Sequence, residues 1–156
     1  MNDSSIKSKW FNYDIDQSML EEACLSTREE GLYIFDSIMS KKYCDIVIDQ
    51  IDSFIGDPNA EINYGGSEHR IWHSNKKSSE IQDFCSISNT LMTSFLGTKK
   101  EAHNVLAYRN LPIPEDDYAL TEGRWHIDSF NNQYKVFLFL KDVEKSNGPL
   151  TYIKLK

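Results

Sequence analysis

An α+β fold is predicted by the order in which two kinds of segment occur. Apolar residues recur at the 3.6-residue helical period through residues 16–97, and aromatic, β-branched stretches follow through residues 98–156. Helices first and strands later is not the alternating strand–helix order of a parallel sheet. A third observation sets the scale. With 156 residues, 40% hydrophobic and 26% charged, the chain is expected to form a single domain, 1–156, with residues 1–97 as a mainly helical flank.

Residues 1–15 are polar and mixed, with Trp10, Phe11 and Tyr13 available to pin this arm to the body. Asp16 is an N-cap candidate for a first helix carrying Met19, Leu20, Ala23 and Cys24, which stops at Gly31. Leu32–Phe35 reads as a short strand, followed by a turn region to Ser40. Ser40 then caps a second helix whose stripe is Cys44, Val47, Ile48, Ile51 and Ile55, ended by Gly56-Asp57-Pro58-Asn59. Residues 60–77, with Gly65-Gly66, read as loop around one short strand near Arg70–His73. A third helix opens at Ser78 or Ser79, carries Ile81, Phe84, Cys85, Ser88, Leu91, Met92 and Phe95 on one face, and closes at Gly97.

Strand grammar follows. Asn104–Arg109 is strand-like, Pro112 and Pro114 break the chain, and Arg124–Asp128 alternates. Tyr134–Leu140 is the strongest strand signal, Asp142–Pro149 a turn, and Leu150–Leu155 a further strand.

Charge and cysteine usage exclude several function classes. Seventeen basic against 24 acidic residues give a net charge of −7, which repels polyphosphate, so no nucleic-acid partner is expected. The longest apolar run is Val136–Leu140, so no membrane span is expected, and the N-terminal residues show no secretory pattern. Cys24, Cys44 and Cys85 are widely spaced and odd in number, which fits free packing thiols in a reducing, cytoplasmic setting. No Walker loop, G-x-G-x-x-G or G-x-S-x-G occurs.

The chemistry-bearing candidate is His126-Ile127-Asp128. On a strand, residues two apart share a face, so an imidazole and a carboxylate there can each give one atom to a single metal ion. A second histidine from elsewhere would complete a 2-His-1-carboxylate set with open positions, the arrangement of non-haem Fe(II) oxygen chemistry. A tripeptide of this kind arises by chance at this composition, so its context carries the assignment. His69 and His73 stand at i, i+4 spacing, a zinc-pair spacing on a helix, but Arg70 occupies the place where the protease motif has glutamate. His103 reads as a surface residue at a strand entry.

Gly31 to Cys44 resembles the opening strand, turn and capped helix of the phytanoyl-CoA dioxygenase family. Arg124-Trp125-His126-Ile127-Asp128, then Lys135 to Val143 and Asn147-Gly148-Pro149-Leu150, resembles that family's His-x-Asp strand, its following apolar strand and its Asn-Gly-Pro turn. The resemblance spans about residues 31–55 and 104–153. It implies helices packed on a jelly-roll barrel, the double-stranded β-helix, with 98–156 as its first strands. It further implies Fe(II) held by His126 and Asp128, 2-oxoglutarate as cosubstrate, and hydroxylation of a small-molecule substrate with release of succinate and CO₂. A basic residue on the preceding strand helps hold 2-oxoglutarate in that family, and Arg109 stands at about that place, where a guanidinium fork suits a carboxylate.

The family's distal histidine and its carboxylate-clamping arginine lie downstream of the Gly-Pro turn. Here Arg124 is the last arginine, His126 the last histidine, and Lys154-Leu155-Lys156 stands where Pro-Gly-Ser-His is usual. The C-terminal half of the barrel is therefore expected to be missing. Two readings follow from that: a dioxygenase-like protein active once further strands complete it, with a second chain pairing on the open strand edge, or an inactive interaction module derived from the fold.

Overall fold

Local signals at the helix ends are realised residue by residue. The computed structural model describes residues 5–57, 61–63, 68–99, 101–102, 105–111, 126–131, 133–147 and 149–153. Helix α1 spans Gln17–Glu30; Asp16 Oδ1 accepts a hydrogen bond from the Met19 amide at 2.9 Å. It ends where Gly31 takes the left-handed conformation (φ 85°) and donates to Thr27 O, satisfying a carbonyl of the last turn. Helix α2, Lys41–Phe54, is capped by Ser40, and helix α3, Ser79–Leu96, by Ser78, whose Oγ accepts from Ile81 N at 3.1 Å. Gly97, at φ 66°, closes α3.

The buried line of α2 is Tyr43, Val47 and Ile51, one turn apart; the expected Cys44 and Ile55 pack at its margin. Tyr43 is fully buried, since its ring lies 5.1 Å from that of Trp10 and its hydroxyl donates to Glu80 O at 2.8 Å. A buried phenol needs such an acceptor, and the first turn of α3 supplies it. Along α3 the buried residues Ile81, Cys85, Ser88 and Leu91 match the expected stripe.

Two apolar clusters hold the molecule. The first joins Met39, Tyr43, Val47, Ile51, Ile71 and Ile81, and the second joins Ile6, Ile15, Leu20 and Leu91. The N-terminal arm reaches both clusters: Ile6 and Ile15, in the second, exchange backbone hydrogen bonds of 2.8 and 3.0 Å, while Phe11 bridges to Met39 of the first, and Trp10 Nε1 donates to Asp83 Oδ2 at 2.7 Å.

The sheet is antiparallel, in the order β1 (Glu61–Asn63), β2 (Glu68–Ile71), β3 (Ala107–Asn110). Ile71 pairs with Ala107 and His69 with Arg109, while Arg70 pairs with Tyr108 and Glu68 with Asn110. Because successive side chains alternate, Ile71, His69, Ala107 and Arg109 share the face toward α2, and Glu68, Arg70, Tyr108 and Asn110 share the outer face. The mixed α+β class stands.

Several expected elements differ. Leu32–Phe35 forms no strand: it has no ladder partner among the described residues, and it is Phe11, in the arm, that bridges to Met39 beyond it. The strand expected near Arg70–His73 ends at Ile71, because His73 turns left-handed (φ 54°) into a short 3₁₀ turn, Ser74–Lys76. The expected loop before it contains the β1–β2 pairing. Tyr134–Leu140 and Leu150–Ile153 join no ladder among the described residues. The period-two pattern persists even so, with Leu138 and Leu140 packed on the first cluster and Phe137 and Phe139 exposed. The turn at Asp142–Pro149 is present as a 3₁₀ turn, Lys145–Asn147, in which Asn147 Oδ1 accepts from Glu144 N. Pro58-Asn59, the Gly65-Gly66 turn, His103, Asn104, the Pro112 and Pro114 break, Arg124, Trp125, Gly148 and 154–156 lie outside the described residues.

Candidate metal centre

His126 and Asp128 converge. His126 Nε2 lies 3.0 Å from Asp128 Oδ1, and both side chains are about half exposed. Residues 126–128, expected as part of a strand, join no strand among the described residues; the imidazole and carboxylate meet across Ile127, whose side chain is exposed. The other carboxylate oxygen is engaged as well: Lys135 Nζ donates to Asp128 Oδ2. That ammonium, first by its hydrogen bond and then by its charge, with a smaller contribution from His126, holds the Asp128 carboxyl below its usual range. Asp128 is therefore an anion with its two oxygens differently committed.

Lys135 ties this pair to the sheet. The Tyr108 phenol, on the outer face of β3, is raised chiefly by burial and then by the charge of Glu68; Arg70 and Lys135 act in the opposite direction. The Lys135 ammonium is thus within electrostatic reach of the outer face. On that face Arg70 forks onto Glu68, with Nε and a terminal nitrogen 3.0 and 2.8 Å from Oε2.

Arg109 belongs to the opposite face. Its guanidinium donates to Asp52 Oδ1 of α2 at 3.0 Å, both groups being about half exposed. One-residue alternation along β3 puts Arg109 and Tyr108 on opposite faces. His69 lies on β2 and His73 at a turn, so the helical spacing that a zinc pair needs is absent; His69 Nδ1 is buried and makes no hydrogen bond. Cys44 and Cys85 have thiols pushed up by burial, as packing residues do, and all three cysteines are free.

The donor set can be tested against the metal that the sequence suggests. The 3.0 Å separation of His126 Nε2 and Asp128 Oδ1 is that of a hydrogen-bonded ion pair, the imidazole donating to the carboxylate, so the two atoms are engaged with each other. One imidazole nitrogen and one carboxylate oxygen suit Fe(II) or Mn(II). Among the described residues no third histidine, cysteine or carboxylate joins them. Lys135 is the residue that sequence reasoning missed at this site. The available signal was a lone cation inside the apolar stretch Tyr134–Leu140.

Comparison with protein-family models, with curated proteins and with solved structures found no match to this chain.

Proposed function

We propose that the chain is part of a non-haem Fe(II)/2-oxoglutarate dioxygenase of the phytanoyl-CoA dioxygenase kind, with His126 and Asp128 as two of the metal donors. The observation that carries the reading is the 3.0 Å approach of His126 Nε2 to Asp128 Oδ1, in a segment whose motif order resembles that family. The three-stranded sheet and the period-two stretch after it are taken as the first part of a jelly roll. When bound, Fe(II) with 2-oxoglutarate supplies oxidative decarboxylation and hydroxylation of a small-molecule C–H bond. The chain's own contribution is to hold an ionised carboxylate and an imidazole together on a half-open surface. A third donor has to come from strands outside the described residues, and a second chain pairing along the C-terminal strand edge expected at Leu150–Leu155 is a route by which they arrive. Arg109 enters as the anchor for a 2-oxoglutarate carboxylate, in exchange for Asp52.

The test is titration of Mn(II), then of 2-oxoglutarate, by calorimetry. Micromolar metal binding lost in His126→Ala supports the reading, as does succinate formation. No binding at millimolar metal sinks it.

A second reading is favoured by a separate observation: Ile127, Phe130, Phe137, Phe139, Leu150 and Ile153 all stand exposed. Exposed apolar residues of that kind suit an inactive interaction module, its histidine and aspartate no more than a surface pair. Absent metal binding together with concentration-dependent association supports it.

A further inference from the structure

The run Lys135-Val136-Phe137-Leu138-Phe139-Leu140-Lys141 is a near palindrome centred on Leu138; only Val136 and Leu140 differ across the centre. It joins no ladder among the described residues, and Phe137 and Phe139 stand exposed on it. We propose that this run is the contact of a symmetric dimer, in which two copies of the chain pair it antiparallel about a two-fold axis at Leu138. The inference rests on the reading of the exposed apolar residues as an interaction surface, and it names the partner as a second copy.

A two-fold axis presents the same surface from both sides, so the contact has to be complementary to itself. Antiparallel pairing about Leu138 sets Phe137 against Phe139 and Val136 against Leu140, each pair twice. Opposed residues in such a pair share a face. The phenylalanine rings therefore meet on the outer side, and Leu138 and Leu140 keep the side on which they pack on the first apolar cluster. A slip of one residue opposes each phenylalanine to a leucine that is already packed on its own cluster. A slip of two sets Lys141 against Phe137 or Lys135 against Phe139. Charge favours the same segment. Residues 126–153 hold three lysines and three acids and are neutral, while the chain as a whole carries −7, so two copies repel least when they meet there. The apposition of Lys135 to Lys141 is softened, because Lys135 is bonded to Asp128 and Asp142 follows Lys141. One strand pair falls short of the roughly 1,200 Å² that stable interfaces bury, which makes the dimer weak and concentration-dependent.

The test is disulfide trapping in the full chain. Phe137→Cys and Phe139→Cys, both at exposed positions, are oxidised separately and as an equimolar mixture. Links are located by peptide mass spectrometry, with the wild-type chain as the control for Cys24, Cys44 and Cys85. Opposed positions have Cα atoms about 4.5–5.5 Å apart, within reach of a disulfide, whereas positions two residues off are about 7–8 Å apart and beyond it. Links between positions 137 and 139 of different chains are therefore expected to exceed same-position links several-fold. A second arm is Lys141→Glu, which turns two like-charge appositions into attractive ones and is expected to tighten the dimer about three- to tenfold in sedimentation equilibrium. Same-position links in excess, or a dimer weakened by Lys141→Glu, mark parallel in-register pairing and overturn the proposal. Species larger than a dimer, or a dimer that forms neither link, place the contact elsewhere and overturn it as well. A chain that stays monomeric up to millimolar concentration overturns it too, and leaves the interaction-module reading to a partner of different sequence.

Discussion

Tyr43 and Arg109 show how single residues acquire roles that their neighbours in sequence do not announce. Tyr43 was not among the residues expected on the apolar stripe of α2, yet it heads the buried line Tyr43, Val47 and Ile51, with Trp10 against its ring and Glu80 O receiving its hydroxyl. Tyr43→Phe leaves that carbonyl without its donor and is expected to cost about 1 kcal/mol in urea unfolding, whereas Tyr43→Ala adds a cavity and is expected to cost about 3–5 kcal/mol. Arg109 was legible as a strand-end cation, but its partner Asp52, far away in sequence, was not. The pair is half exposed and solvent-screened, so Arg109→Ala is expected to lower stability by about 0–1 kcal/mol. Calorimetry on the same variant separates this tie from a role in holding 2-oxoglutarate.

Helix ends are the elements that the sequence describes best. Asp16, Ser40 and Ser78 accept from the amides three residues on, and Gly31 and Gly97 take the left-handed conformation that stops α1 and α3. Ser78→Ala is expected to cost about 1 kcal/mol in thermal or urea unfolding. Just inside that cap, Glu80 accepts hydrogen bonds from Gln50, from its own amide and from Ser79, which together hold its carboxyl down to about 2. The folded value lies below the ordinary 4.5, so the stabilisation is complete above that pH and is lost as pH falls from about 4.5 to about 2. A carboxyl ¹³C titration should place the Glu80 midpoint near 2, and Gln50→Ala should move it up. Strands were less legible. Leu32–Phe35 has strand-forming residues and no ladder partner among the described residues, while β1 lies in a stretch that reads as loop. A helix closes its hydrogen bonds within one segment, but a strand exists only where another segment lies beside it.

Taken whole, the molecule has an anchored half and an open one. Residues 5–57 and 68–99 supply both apolar clusters, whereas the segment from His126 to Ile153 touches the first cluster chiefly through Leu138 and Leu140. Phe137 and Phe139 face outward on the uncharged run Val136–Leu140, of high β-propensity and without a ladder partner among the described residues, a combination that promotes edge-to-edge association. Concentration-dependent self-association is therefore expected in analytical ultracentrifugation, with binding of an apolar dye. Phe139→Lys should reduce both while changing unfolding stability by no more than about 0.5 kcal/mol, as exposed positions do. Retained association in that variant locates the contact elsewhere.

The amino-acid order alone determined the three helices, their caps, the mixed class and the meeting of His126 with Asp128, because each depends on groups no more than a few residues apart. Tertiary structure decided that Arg109 faces α2, that Lys135 claims the second oxygen of Asp128, and that Tyr134–Leu140 joins no ladder among the described residues. Those outcomes depend on which distant segments come to lie side by side, and local spacing carries no record of that choice.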